Sequence, residues 1–124
     1  MNLIAKSNEI HDFYSPKVIG EVNDVFIKLV KINGNKVPWH IHENEDELFY
    51  VLKGRLLFEI ENQNSFFMNS GDLFIVKRGT NHRISAEETC TIMLVENKTT
   101  LHTGEIITEI TQTINNQKYN PLQK

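Results

Sequence analysis

Short runs of apolar and β-branched residues, separated by turn-forming residues, make up the central part of the chain. The run at 25–32 is the clearest, and it ends at Asn33-Gly34, a pair that is typical of tight turns between strands. Further turn signals lie at Gly54 and at 69–72. The pattern predicts strands at 25–32, 37–42, 48–53, 55–60, 65–68, 73–76, 82–85 and 91–96.

The number and spacing of these predicted strands indicate the fold class. Eight or nine short strands joined by tight loops are typical of an all-β sandwich or barrel. Helical periodicity is weak in this region, and we find neither an internal repeat nor a low-complexity segment. We therefore expect an all-β barrel domain over residues 18–105, with an N-terminal arm at 1–17 and a C-terminal tail at 106–124.

The two ends of the chain leave alternatives open. Residues 1–17 are polar with scattered aromatics, and they fit a short helix, an arm or an extra strand. Four isoleucines of the tail fit one helix face, whereas the even-numbered ones also fit the alternation of a strand. These isoleucines are Ile106, Ile107, Ile110 and Ile114. We expect residues 119–124 to form a frayed end.

Composition and charge narrow the class of protein. The chain has 124 residues, of which 40% are hydrophobic, and this fits one domain with its own core. Its formal net charge is −3 with acids and bases mixed, so no basic stripe is available for nucleic acid. The single cysteine forms no internal disulfide, and we expect a cytoplasmic protein. The chain has no apolar segment of signal-peptide or membrane-spanning character, so we expect no membrane partner.

Three histidines and one glutamate carry the clearest chemical signal. His40 and His42 point to the same face of an extended strand, with Cα atoms roughly 6.6 Å apart. Glu47 begins the next predicted strand, and His82 opens a later strand that can lie beside the others. Imidazole and carboxylate ligands together suit Fe, Mn, Ni, Cu, Co or Zn. We therefore predict that these four residues bind one divalent transition metal; the alternative is a set of solvated loop residues.

Two stretches of the chain resemble the two sequence motifs of the cupins. The stretch at 34–54 matches every fixed position of the first motif, and the stretch at 71–86 resembles the second. The short gap between them is typical of small single-domain cupins, such as the mannose-6-phosphate isomerase-like group. The matching residues are Gly34, His40, His42, Glu47, Gly54, Gly71, Gly79 and His82.

This resemblance implies a fold and a metal site. The fold is a double-stranded β-helix (jelly-roll) barrel of two antiparallel sheets, with a metal held in its mouth by three histidines and one glutamate. One or two coordination positions then stay open for substrate, water or dioxygen. The chain has Lys77 where cupins usually have proline, and Ala86 where they usually have asparagine. Lys77 either softens the loop before His82 or places a positive charge near the cavity mouth.

Three further polar residues are candidates for polar groups in the cavity: Lys77, Arg83 and His102. The sequence identifies none of them as a catalytic residue. For His102 we favour a turn residue on the surface over a cavity group. Cys90 borders an apolar strand, so we expect a packed small hydrophobe and not a reactive thiol.

The predicted strand at 48–53 is apolar on both faces. Leu48, Tyr50 and Leu52 point to the face opposite that of Glu47, Phe49 and Val51. A sheet face in solvent should carry polar residues, but this one is apolar. Terminal segments or a second subunit must cover this face. Small cupins often pair in this way, so we expect a homodimer. Trp39 is either a contact in such a dimer or an ordinary core residue.

The function implied is that of a metal-dependent enzyme, of oxygenase or isomerase type, acting on a small organic molecule. The alternative is a non-catalytic module that binds or senses a small, sugar-like molecule. A storage role does not fit a single short domain, because storage cupins are usually two-domain chains. Fold alone does not separate the first two functions.

Overall fold

The computed structural model describes residues 1–105 and 108–117 of the chain. Antiparallel strands dominate it, as the sequence predicts, and the all-β fold class is confirmed. The elements in chain order are α1 (Leu3–Ser7), β1 (Lys17–Val22), β2 (Val25–Gly34), β3 (Glu47–Lys53), β4 (Arg55–Ile60), β5 (Phe66–Asn69), β6 (Leu73–Val76), β7 (His82–Asn97), β8 (His102–Glu105) and α2 (Ile114–Gln117).

Two antiparallel sheets form the barrel, and they share strand β7. One sheet has the order β1-β2-β7-β3-β6, and the other consists of β5, β4 and the first part of β7. Residues 82–85 of β7 pair with β4, whereas its later residues pair with β2 on one side and β3 on the other. Because β7 continues from one sheet into the other, it connects the whole barrel.

The expectation of two separate strands at 82–85 and 91–96 was wrong. The polar residues 87–89 resemble a turn in sequence, but all three belong to β7. The register against β2 shifts between Ile32, which is opposite Cys90, and Gly34, which is opposite Ala86. Residues 87–89 therefore form a bulge whose exposed side chains interrupt the apolar pattern without ending the strand.

The predicted strand at 37–42 was also wrong. In this segment only His40 makes a β-bridge, and its partner is His82. The N–H of each donates to the carbonyl of the other, at 3.0 and 3.1 Å. Pro38 has no N–H to continue a ladder, so the segment is irregular on either side of the bridge.

The two sheets enclose one apolar core. Alternate residues of β3 point inward, so that Phe49 and Val51 are buried whereas Tyr50 and Leu52 are half-buried on the opposite face. Cys90 is fully buried, and burial raises the pKa of its thiol to about 11, which confirms the packed-hydrophobe interpretation. Further core residues are contributed by both sheets: Val30, Ile32, Leu56, Phe58, Met68 and Ile92.

The N-terminal segment contains a short helix and then covers part of the core. The Asn2 side chain caps α1 by accepting the Ala5 N–H at 2.9 Å. Beyond the helix, Tyr14 is buried with a positive φ of 56°, and its hydroxyl donates to the Asn33 carbonyl at 2.7 Å. Of the three alternatives for 1–17, a short helix followed by an irregular arm is the one observed.

The described part of the C-terminal tail also packs on the barrel. Ile110 lies in a turn and is buried in the core, and Ile114 begins α2. Ile106, Ile107 and residues 119–124 are outside the described residues, so the expectations for them stay predictions. No helix in the described ranges is long and apolar enough to cross a membrane.

Candidate metal centre

The four predicted ligand residues meet inside the barrel. The bridge between His40 and His82 joins two of them, His42 follows two residues later, and Glu47 is the first residue of β3. One potential ligand atom from each residue lies within 4.8 Å of those of the other three. All four side chains are buried, His82 completely. The structure therefore brings together the whole set that the sequence predicted.

Glu47 lies between two of the imidazoles. Its Oε1 is 3.5 Å from Nε2 of His42 and 3.5 Å from Nε2 of His82. Burial by itself raises the pKa of the Glu47 carboxyl, but the two facing imidazoles outweigh this and hold that pKa well below its usual range. The carboxylate is therefore ionised and available as an anionic ligand at neutral pH.

Backbone carbonyls orient two of the histidines. Nδ1 of His40 lies 2.8 Å from the Pro38 carbonyl oxygen, and Nδ1 of His82 lies 2.9 Å from that of Thr80. A carbonyl oxygen only accepts, so both Nδ1 atoms carry a proton, and in the neutral ring Nε2 then keeps its lone pair. This is the tautomer that suits a metal ligand bound through Nε2.

The protonation state of His40 also suits a ligand. Burial, reinforced by the neighbouring His82, lowers the pKa of His40 to about 4. A metal binds the neutral imidazole, so a histidine that stays neutral at pH 7 needs to lose no proton before it coordinates. Desolvation of the site therefore favours the ligand form of this side chain.

Three ligand atoms of the cluster lack partners of their own. His42 Nε2, Glu47 Oε1 and His82 Nε2 are buried without a hydrogen bond to any described residue. Buried polar atoms are almost always paired, and an unpaired set calls for an explanation such as an ion. Three imidazole nitrogens and one carboxylate oxygen are a donor set that divalent transition metals favour. The residues present therefore fit a metal, and the four of them could hold one.

Aromatic and backbone contacts fix the position of the cluster. The His82 ring is stacked on Phe58, with centroids 5.9 Å apart and planes at 10°, and it meets Phe49 edge to face. The Gly79 N–H donates to the carbonyl of His42 at 2.9 Å. These contacts come from β3, β4 and the loop before β7, so both sheets contribute to the position of the ligands.

A small cavity adjoins the cluster, and His102 lines it. The cavity has a volume of about 40 Å³, and His40 and Glu47 also form part of its wall. His102 is half-buried at the start of β8, so the expectation of a surface turn residue was wrong. Little in the sequence indicates this position, because the approach of β8 to the ligand segment depends on tertiary packing.

The other two candidates for polar cavity groups lie elsewhere. Lys77 is exposed, and its Nζ is 3.6 Å from Asp46. Arg83 donates from Nε to Glu59 at 2.6 Å, and its guanidinium lies over the ring of Trp39 at 4.9 Å. Neither Lys77 nor Arg83 lines the cavity beside the cluster, so those two expectations were wrong.

A second buried polar group lies next to the cluster, and sequence analysis missed it. Lys28 Nζ is 3.8 Å from the Glu96 carboxylate and donates to the side chain of Gln117. Glu96 is directly opposite Glu47 in the pairing of β7 with β3. Burial and the charge of Glu47 raise the pKa of Glu96, against the effect of Lys28. The sequence does contain a signal of this buried lysine, since Lys28 lies between Phe26 and further apolar residues of β2.

Comparison with known proteins gives the family. The model for the cupin domain, Cupin_2, matches residues 27–96. The uncharacterized protein YdbB of Bacillus subtilis (strain 168) is 33% identical over 97 residues, which cover 78% of this chain and 85% of YdbB.

Solved structures agree with this match. A cupin-2 domain containing protein from Shewanella frigidimarina is 34% identical with a TM-score of 0.74, over 78% of this chain and 93% of that one. Protein NMB1881 from Neisseria meningitidis is 24% identical with a TM-score of 0.71, over 78% and 97% of the two chains, and shares the fold. By its sequence match, its motifs and its antiparallel barrel, this chain belongs to the cupin family.

Proposed function

We propose that this protein binds one divalent transition metal through His40, His42, Glu47 and His82, and that it acts as a metal-dependent enzyme on a small organic molecule. The observation that carries the proposal is the set of four converging ligand atoms within 4.8 Å, three of them buried without a partner. The ion, one of Mn, Fe, Cu, Ni or Zn, supplies Lewis-acid or redox chemistry when bound.

The residues of the chain orient and shield this site. Carbonyls of Pro38 and Thr80 set the tautomers of two ligands, and the buried Glu47 lowers the net charge of the site by one. The apolar side chains that line much of the adjoining cavity lower the local polarity, which strengthens electrostatic interactions there. Oxygenase and isomerase chemistry are the two reaction types that we consider.

A non-catalytic binding module is the second candidate. The cavity wall contains no carboxylate other than Glu47 among residues 1–105 and 108–117, so it offers few groups to move protons. A turnover screen of the Mn, Fe and Cu forms with small organic substrates separates the two functions. Consumption of a substrate supports the enzyme, whereas saturable binding without consumption supports the module.

Metal content is the first test of the site. We expect protein without a tag, purified without chelator, to contain about one transition metal ion per chain by elemental analysis. Protein stripped with chelator should take up one equivalent again, because the ligands are held in place by the barrel. Protein that contains no metal and takes up none after reconstitution would contradict the proposed site.

We also propose that the protein forms a homodimer through the outer face of β3 and β6. Leu48 is opposite Ile75 and Tyr50 is opposite Leu73 in the pairing of these strands. Leu73 and Ile75 are 55% and 44% exposed in the single chain. Neighbouring large apolar side chains on one open sheet face are typical of an interface between subunits.

We expect the wild-type protein to elute with twice the chain mass of 14.4 kDa in light-scattering chromatography. The double variant Leu73→Lys, Ile75→Lys should elute as a monomer, because two charges in an apolar interface are costly to desolvate. Leu101→Lys is the matched control, since Leu101 is 58% exposed outside this face. A monomeric wild type, or a double variant that stays dimeric, would contradict this interface.

A further inference from the structure

His102 differs from the metal-ligand histidines in the hydrogen bond that it makes. The backbone N–H of Gln112 donates to His102 Nδ1 at 2.8 Å. Nδ1 must therefore carry a lone pair, and the neutral ring has its proton on Nε2. His40 and His82 have the opposite tautomer, because their Nδ1 atoms donate to carbonyl oxygens. His102 is thus a hydrogen-bond donor through Nε2, whereas His40 and His82 in this tautomer offer a lone pair on Nε2.

The segment that imposes this tautomer is itself well anchored. The Gln117 side-chain amide donates to the carbonyl of Gln112 at 2.9 Å. One residue earlier, the hydroxyl of Thr111 lies 2.7 Å from that of Thr103, next to His102 in β8. Ile110 is buried in the core. The Gln112 N–H is therefore held in position on His102, and the ring cannot easily turn over.

The neutral form of His102 is favoured by its surroundings. Burial and then the charge of Lys28 lower the pKa of His102 to about 4. No described residue in 1–105 or 108–117 accepts a hydrogen bond from Nε2. The ring lines the same cavity as His40 and Glu47. A donor on a half-buried ring in the wall of this cavity, not engaged by any described residue, is suited to a bound molecule that brings an acceptor of its own.

The rest of the cavity limits what that molecule is. Apolar side chains form much of the wall, and neither lysine nor arginine of the described residues lines it. The apolar members include Val30, Ile32, Val37, Phe49, Ile84 and Leu94. A divalent ion together with ionised Glu47 leaves a net charge of one positive unit, which a single negative charge neutralises. A phosphate dianion would lack the arginine or lysine partners that such groups usually have.

The volume of the cavity also favours a small ligand. A volume of about 40 Å³ accommodates on the order of three water molecules. This is far below the 300 Å³ or more of ordinary ligand pockets. A carboxylate group or a three-atom anion fits a space of this volume, whereas a sugar ring is too large for it.

We propose that His102 is a ligand-binding residue whose Nε2–H donates to a small monoanion of carboxylate type held beside the metal cluster. This inference rests on the proposed metal site and extends it to the class of ligand. His102 acts on the bound anion and not on the ion, so its loss should weaken anion binding without lowering metal content. Two measurements test these two properties separately.

The first measurement reads the tautomer. Long-range ¹H–¹⁵N correlation spectra of the histidine rings are recorded for metal-free and zinc-loaded protein. We expect His102 to show a protonated Nε2 in both forms, and His40 and His82 to show a protonated Nδ1. A protonated Nδ1 on His102, or an imidazolium ring at pH 7, would overturn the proposal. A His102 ring whose Nε2 loses its proton on zinc loading would also overturn it, because the residue would then be a ligand.

The second measurement reads anion binding. Cobalt(II)-loaded protein is titrated with azide, with acetate and with inorganic phosphate, and the visible absorption of the ion reports binding. We expect azide and acetate to bind and phosphate to bind more weakly than either. His102→Leu should raise the Kd for azide and acetate about tenfold, the effect of one hydrogen bond to a charged group. Its cobalt content should equal that of the wild type.

His102→Gln is the matched control. A glutamine side chain can accept the Gln112 N–H through Oε1 and donate through Nε2, so we expect Kd values within about threefold of the wild type. Equal azide and acetate binding by His102→Leu and the wild type would overturn the proposal while leaving the metal site intact. Phosphate binding tighter than acetate binding would overturn the ligand class. Failure of the wild type to retain cobalt would overturn the metal site, and with it this extension.

Discussion

His42→Ala should remove metal binding while preserving the barrel. Loss of a residue that only orients a ligand typically weakens metal binding 10–100-fold, so loss of a ligand should weaken it more than about 100-fold. Zinc at about 100 times its Kd should raise the free energy of unfolding of the wild type by ~2.7 kcal/mol. This corresponds to a rise in Tm of about 10 °C. We expect no such gain for His42→Ala at the same zinc concentration, measured by thermal unfolding and elemental analysis.

The metal-free forms provide the control for this prediction. Metal-free His42→Ala and metal-free wild type should unfold within a few degrees of each other, because the core between the sheets supplies most of the stability. His11→Ala is the matched variant, since His11 is an exposed histidine outside the cluster, and it should keep the full zinc effect. If His42→Ala showed the same zinc-dependent gain as the wild type, the ligand assignment would be wrong.

Gly104→Ala should destabilise the protein and weaken metal binding together. Gly104 has φ of +62°, and a Cβ there would lie 2.5 Å from the carbonyl oxygen of Ile41, which no real contact tolerates. Ile41 lies between His40 and His42, so relief of the clash moves the ligand segment away from β8. We expect a loss of roughly 3–5 kcal/mol in the free energy of unfolding, of which the backbone conformation alone accounts for about 1–2 kcal/mol.

Gly71→Ala separates the clash from the backbone strain. Gly71 also has a positive φ, of +94°, but an added Cβ there meets no atom within 4 Å. We expect Gly71→Ala to lose only about 1–2 kcal/mol by chemical denaturation and to bind zinc with wild-type affinity. Gly104→Ala with the same stability and zinc affinity as Gly71→Ala would show that β8 does not support the ligand segment.

The convergence of the four candidate ligand residues could be predicted in part, because some of their geometry is local. Glu47 and His82 are the first residues of strands, where strand alternation sets the side-chain direction. His40 and His42 meet as predicted, although only His40 makes a β-bridge and the predicted strand around them is absent. The same alternation predicted the inward face of β3. The two cupin-like motifs then implied that these four positions meet in one site.

The wrong predictions concern residues whose structure depends on a neighbouring proline or on contacts with distant parts of the chain. Pro38 is a local signal against a strand at 37–42, because it has no N–H to donate to a neighbouring strand. The polar residues 87–89 look like a turn, and only the register against β2 shows a bulge. The place of His102 depends on the contact of β8 with the ligand segment and on Gln112, ten residues away. No periodicity in the sequence reports such a contact.

Strand β7 has a consequence for how the protein opens. It begins at the candidate ligand His82 in one sheet and continues through the other, where it pairs with β2 and β3. Neither sheet can therefore separate from its neighbour without breaking the backbone hydrogen bonds of this one strand. Hydrogen exchange at its central amides then requires global and not local opening. We therefore expect an ion bound at its first residue to slow exchange across the whole barrel, so that metal loading and resistance to unfolding rise together.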